Sequence, residues 1–199
     1  MDFDIKTLYT KSEHVESLHS RAKNMGNKRI MKMCTVNEFS PNNFKKEISF
    51  AKKAEKHGFG PKINSYGFKD KIGFMNMEKL DTSLKTLIEK DKLTFTHLKS
   101  LKKVLKLMLK KGKFVHMDLH AENIWFNSSK EAKLIDFGFV KQVCEIKKED
   151  NTKECLVDSS FDIHNLIECV LPNSKKKDEL VKLKEIMQGE WISNCQKSK

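Results

Sequence analysis

Apolar residues recur along this 199-residue chain with two different periods, and the changes of period mark out its elements. Short apolar stretches at 1–10 and 28–36 predict strands; in the second, Ile30, Met31 and Met33 flank Lys32. Over 43–57 the period becomes helical, with Phe44, Ile48, Ala51 and Ala54 three or four residues apart. Gly58-Phe59-Gly60-Pro61 ends that helix by lowering helix propensity and removing a backbone donor. Strands are predicted at 62–68 and 71–78. The clearest helix is 96–111, where Leu98, Leu101, Leu105 and Met108 share a face and Lys99, Lys102, Lys103, Lys106 and Lys110 fill much of the remainder. Two short apolar pieces, 113–117 and 132–136, then bracket a polar loop, and further helices are predicted at 160–171 and 177–188. Strands and one helix come first and mostly helices follow. That order predicts an α+β chain of two lobes of different class.

Composition narrows the classes. No apolar run approaches the roughly 20 residues of a membrane-spanning helix. Met1-Asp2-Phe3-Asp4 places acids where a secretory signal needs a basic and then an apolar stretch, so the expected location is intracellular. The five cysteines (Cys34, Cys144, Cys155, Cys169, Cys195) form no C-x-x-C pair, which argues for reduced thiols rather than a disulfide framework or structural zinc. The formal net charge is +12, almost all of it lysine, since Arg21 and Arg29 are the only arginines. Lysine lacks the bidentate fork that reads base edges. No specific nucleic-acid readout is therefore expected. The lysine face of 96–111 suits either a solvated surface or an acidic partner.

The chemistry concentrates in His116-Met117-Asp118-Leu119-His120-Ala121-Glu122-Asn123 and Leu134-Ile135-Asp136-Phe137-Gly138. Carboxylate and amide oxygens are hard ligands suited to Mg²⁺, which borrows phosphate oxygens and water to complete its shell. A further carboxylate not committed to metal can orient a hydroxyl and accept its proton. Two acids and an amide on adjacent loops are what magnesium-assisted phosphoryl transfer requires. His116-x-Asp118-x-His120 also spells a transition-metal cluster, but the other histidines supply no matching ligands.

These motifs resemble the protein-kinase superfamily: His116 to Asn123 is similar to its H-x-D-x-x-x-x-N catalytic loop, and Asp136-Phe137-Gly138 to its D-F-G. The resemblance implies ATP and Mg²⁺ as cofactors, with Asp118 the catalytic base and Asn123 and Asp136 the metal ligands. It implies that Lys32 grips the α and β phosphates, paired with Glu47. It makes Met75 to Leu80 similar to the connection between lobes, with Met77 flanking adenine, the backbones of Glu78 and Leu80 bonding the base, and Val15 covering the ring. Ser160-Phe161-Asp162-Ile163 is similar to the start of the helix that braces the catalytic loop. The implied fold is a single kinase-like domain over 1–199: an antiparallel-sheet N-lobe with one main helix (1–77), a hinge (78–82) and a reduced, mainly helical C-lobe (83–199). The implied activity is transfer of the γ-phosphoryl group of ATP to Ser or Thr of a protein substrate.

Departures from the pattern keep alternatives open. No glycine precedes Gly26, so the glycine-rich phosphate-covering loop is missing and Thr10 to Val15 stands in its place. This favours a pseudokinase that captures a partner without catalysis. Met117 replaces the usual arginine and there is no A-P-E, so activity is expected not to wait for activation-loop phosphorylation. Protein kinases carry lysine where His120 stands; histidine there is similar to small-molecule kinases of the aminoglycoside and choline phosphotransferase type. Compact kinases of this kind occur among viral kinases and bacterial effectors, which would place the chain in a host cytoplasm. A basic nucleic-acid binder without nucleotide chemistry is the remaining alternative.

Overall fold

The computed structural model describes residues 4, 13–14, 20–35, 41–69, 71–142, 178 and 181. Val15, the Ser160–Ile163 match, the strand expected at 1–10 apart from Asp4, which is in no strand, and the helices expected at 160–171 and 177–188 apart from Asp178 and Val181, which are helical, lie outside these residues.

Five strands form an antiparallel sheet: β1 (Glu13–His14), β2 (Ser20–Gly26), β3 (Arg29–Thr35), β4 (Ile63–Lys69) and β5 (Ile72–Glu78), in the order β1-β2-β3-β5-β4. Period-two alternation gives this sheet two apolar faces. Met31, Met33 and Ile72 make a buried cluster on one face, with Met25 and Phe74 packed against it. Cys34, Met75 and Met77 point to the other face, into the main core. Helix α1 (Pro41–Lys56) covers that second face with Phe44, Ile48, Ala51 and Ala54. Gly73 on β5 is bare because α1 leaves no room: a Cβ there would lie 2.5 Å from Phe44 Cδ1. Gly58, at φ +80, turns the chain off the end of α1, and its neighbour Phe59 is fully buried.

Beyond β5 the chain forms β6 (Thr82–Ser83), α2 (Leu84–Glu89) and α3 (Phe95–Leu107), followed by β7 (Phe114–Val115), β8 (Ile124–Phe126), β9 (Ala132–Leu134) and β10 (Lys141–Gln142). Strands β6, β8 and β9 make a three-stranded sheet, and β7 pairs with β10. The leucine face of α3 (Leu98, Leu101, Leu105) and Met108 joins the core, which runs unbroken from α1 through Phe59 and Phe114 to β8 and β9. Ser83 caps α2 by accepting the Thr86 N–H at 3.1 Å. Asn127 closes the β8–β9 hairpin by accepting from the N–H groups of Ser129 and Glu131.

Two boundaries differ from expectation. Strand β5 runs through Glu78, so the connection following it starts one residue later than the expected hinge. Helix α3 ends at Leu107 and continues as a π-helical turn, Met108–Gly112. That wider turn sets Gly112 against two rings: a Cβ would lie 3.0 Å from Phe59 and 3.1 Å from Phe114.

Candidate active site

Lys32 lies mid-strand on β3, opposite Met75, and points to the α1 side because Met31 and Met33 take the other. Glu47 sits three residues after Phe44, on the apolar stripe of α1, and is only 5 % exposed. A carboxylate buried there without a cation would be strongly destabilising. Lys32 supplies the charge: its Nζ lies 2.7 Å from Glu47 Oε1 and 2.8 Å from Asp136 Oδ1. Burial alone would lower the Lys32 pKa, but the two carboxylates outweigh it and raise it, so the ammonium is retained. Burial pushes the Glu47 carboxyl up against the pull of Lys32, with the negative charge of Asp136 adding to the rise. Burial acts on Asp136 in the same direction, but Lys32 overcomes it and holds that carboxyl below its ordinary range.

Asp136 follows β9 in the left-handed region, at φ 60, a conformation Asp tolerates better than most residues. The strain is held by its neighbours. Phe137 is buried against Phe114 and His116, with ring centroids 6.1 and 5.5 Å away. The Gly138 N–H donates to the Asp136 carboxylate. A Cβ on Gly138 would lie 3.5 Å from Asp136 Oδ1 and 4.0 Å from Glu47 Oε2, so the chain passes close over both acids.

The loop carrying Asp118 is clipped to this cluster through Ile135. The Ile135 N–H donates to the Asn123 carbonyl at 3.0 Å, and His116 Nε2–H donates to the Ile135 carbonyl at 2.8 Å. Within the loop, Asn123 Nδ2 donates to the Asp118 carbonyl at 2.8 Å and to Asp118 Oδ2 at 3.2 Å. Met117, at φ 67, turns the chain so that buried His116 and half-exposed Asp118 face opposite ways. His116 and His120 are not brought together as metal ligands. His116 is a strut under the loop.

Of the residues expected to meet a nucleotide, Met77 faces the core opposite Ile30, and Leu80 is buried just past β5. The N–H groups of Glu78, Lys79 and Asp81 bond Lys62, Lys28 and Phe126 carbonyls. That of Leu80 takes no partner among the described residues. Val15 lies outside the described residues.

The donor set suits Mg²⁺. With its NH₂ held by Asp118, Asn123 has Oδ1 turned away, and that oxygen accepts no hydrogen bond among the described residues. The Asp136 carboxylate retains acceptor capacity beyond Lys32 and Gly138. Among the described residues no three His, Cys, Asp or Glu side chains group as a self-sufficient metal site. A cation here would depend on phosphate oxygens and water, the usual habit of Mg²⁺.

Two supporting residues have no local signal in the sequence. Lys85 on α2 forms an ion pair with Glu122, 37 positions away, and its N–H donates to the Ala121 carbonyl. The start of α2 is thereby fastened to the Asp118 loop.

Residues 74–167, a little under half of the chain, match the family model of the ABC1 atypical kinase-like domain. No curated protein matches the chain. The chain therefore carries a kinase-like domain with an antiparallel-sheet N-terminal region and a few helices.

Proposed function

We propose that this kinase-like domain is an ATP- and Mg²⁺-dependent protein kinase that transfers a γ-phosphoryl group to Ser or Thr hydroxyls without activation-loop phosphorylation. The observation that carries the reading is the convergence of Lys32 on Glu47 and Asp136, clipped through Ile135 to the loop of Asp118 and Asn123. We read the fold as two lobes, 1–77 and 83–199, joined by a hinge at 78–82. The C-lobe is reduced.

Each role follows from the chemistry at hand. Lys32 is a retained cation placed for the α and β phosphates, and Glu47 fixes its direction. Asn123 Oδ1 and the Asp136 carboxylate would hold Mg²⁺, which when bound neutralises charge on the transferred group. Asp118 is half-exposed and points away from the buried strut, so it would orient the acceptor hydroxyl and take its proton. Met77 would flank adenine, the backbones of Glu78 and Leu80 would bond its edge, and Val15 would cover it. The N–H of Leu80, without a partner among the described residues, supports that edge assignment.

The test is transfer of label from γ-labelled ATP by the full chain to a generic protein acceptor. Asp136→Ala is expected to abolish it, and Asp118→Asn to reduce it by roughly 10²- to 10⁴-fold. Unchanged transfer in Asp136→Ala would remove the metal assignment. Nucleotide binding with no transfer would make the chain a pseudokinase. Label on a small hydroxyl or amino compound but not on protein would favour the second reading, a small-molecule kinase, which His120 supports.

The remaining expectations belong to the same proposal: an intracellular location and an acidic protein partner. Lys99, Lys102, Lys103, Lys106, Lys110 and Lys111 line one open groove along α3 and its π-helical turn, a surface that fits acidic chains.

A further inference from the structure

An asparagine amide has two hydrogens to donate. Around Asn123 Nδ2 stand three acceptors: the Asp118 carbonyl at 2.8 Å, His120 Nε2 at 3.0 Å and Asp118 Oδ2 at 3.2 Å. Turning the amide over would set its oxygen against two oxygens and a ring lone pair, so the third acceptor reinforces the orientation.

A neutral imidazole has one lone-pair nitrogen and one N–H. Two donors compete for the lone pair of His120: Asn123 Nδ2 at Nε2, and the Glu122 N–H, which is 3.3 Å from Nδ1. The shorter contact takes the lone pair at Nε2; the Glu122 N–H then loses its acceptor and the hydrogen sits on Nδ1. There it lies on the side of Glu122 Oε2, 3.9 Å away, while Glu122 Oε1 is held by Lys85 of α2. A lysine at position 120 would bring three donors and no acceptor, and could not make this contact.

We propose that His120 is a positioning residue: its Nε2 lone pair holds the Asn123 amide so that Oδ1 faces the cation site. The inference rests on the reading of Asn123 as a metal ligand. It gives His120 a task different from the cation that lysine supplies there. His120 shapes the ligand and does not touch the phosphate.

Two measurements on the full chain test it. Long-range proton–nitrogen spectra at pH 8, without nucleotide or metal, report which nitrogen of the His120 ring carries hydrogen; His120→Gln assigns the signals. The Nδ1–H form is expected, and the Nε2–H form overturns the proposal. Mn²⁺ binding in the presence of ATP, read by electron paramagnetic resonance, is then compared among variants. His120→Ala is expected to weaken it at least roughly tenfold, as loss of a supporting partner does. His120→Gln restores an acceptor and is expected to stay within about threefold of the parent. Binding by His120→Ala equal to the parent, or by His120→Gln as weak as His120→Ala, overturns the proposal. If the parent chain itself binds no Mn²⁺ with ATP, the kinase reading fails, and the ring spectrum alone decides whether His120 holds Asn123.

Discussion

Replacing Lys32 by Met removes one ammonium and leaves two acids facing each other. In the parent, Lys32 Nζ is 2.7 Å from Glu47 and 2.8 Å from Asp136, with the three side chains 17 %, 6 % and 31 % exposed. Stripping the cation from a buried pair costs about 3–5 kcal/mol. The exposure of Asp136 lets water reach its side of the site, which trims the expected loss at pH 7 to about 2–4 kcal/mol. For a chain of this size that is a fall in Tm of roughly 5–15 °C. The pH dependence follows from the signs. Glu47 is already raised by burial and by Asp136. Without Lys32 nothing opposes that rise, and Asp136, now held low by Lys32, rises too. A folded pKa above the unfolded one makes the charged form a burden at neutral pH, relieved as pH falls through the folded value. The parent loses the contribution of Asp136 in acid, because a depressed carboxyl stabilises only above its folded pKa. The relief of the variant's raised carboxyls narrows the gap between variant and parent as pH drops from 7 to about 4.5, a range in which the parent still keeps the contribution of Asp136. Urea unfolding followed by tryptophan fluorescence at the two pH values measures it. A variant as stable as the parent at pH 7, or a gap of equal size at both, would refute the reasoning.

Gly73→Ala drives a methyl into Phe44, one turn from Glu47; about 1–3 kcal/mol of destabilisation is expected, with weakened nucleotide binding because α1 is displaced. Urea midpoints and nucleotide titration check both parts. Mg²⁺-ATP at a hundredfold excess over its Kd is expected to stabilise the parent by about 2.7 kcal/mol, and ATP without the metal by much less. A melting curve indifferent to magnesium counts against the assignment of Asn123 and Asp136. Reversing Lys102, Lys103, Lys106 and Lys110 to Glu is expected to leave the fold intact, because these side chains line an open groove, while abolishing salt-sensitive binding to an acidic polypeptide. Binding that survives the reversal would place the partner surface elsewhere.

The local pattern of the chain determined much of this protein. The three- and four-residue spacing of Phe44, Ile48, Ala51 and Ala54 suffices for α1, and the leucine face suffices for α3, because helical periodicity is written within a few turns. The strands around Lys32 and Met77 were legible from short apolar stretches, and the loop from His116 to Asn123 from the residue types and spacing of its motif. Strands β6, β8 and β9 are only two or three residues long, too short to carry a period, and exist because they pair. The pairing of Lys32 with Glu47 was implied by the family resemblance, but tertiary structure alone decided that Asp136, 104 positions away, joins them and that Lys85 reaches Glu122. It also decided that Glu47 is buried rather than solvated. Burial and charge pairing depend on which distant surfaces exclude water from one another, and a local sequence pattern does not specify that arrangement.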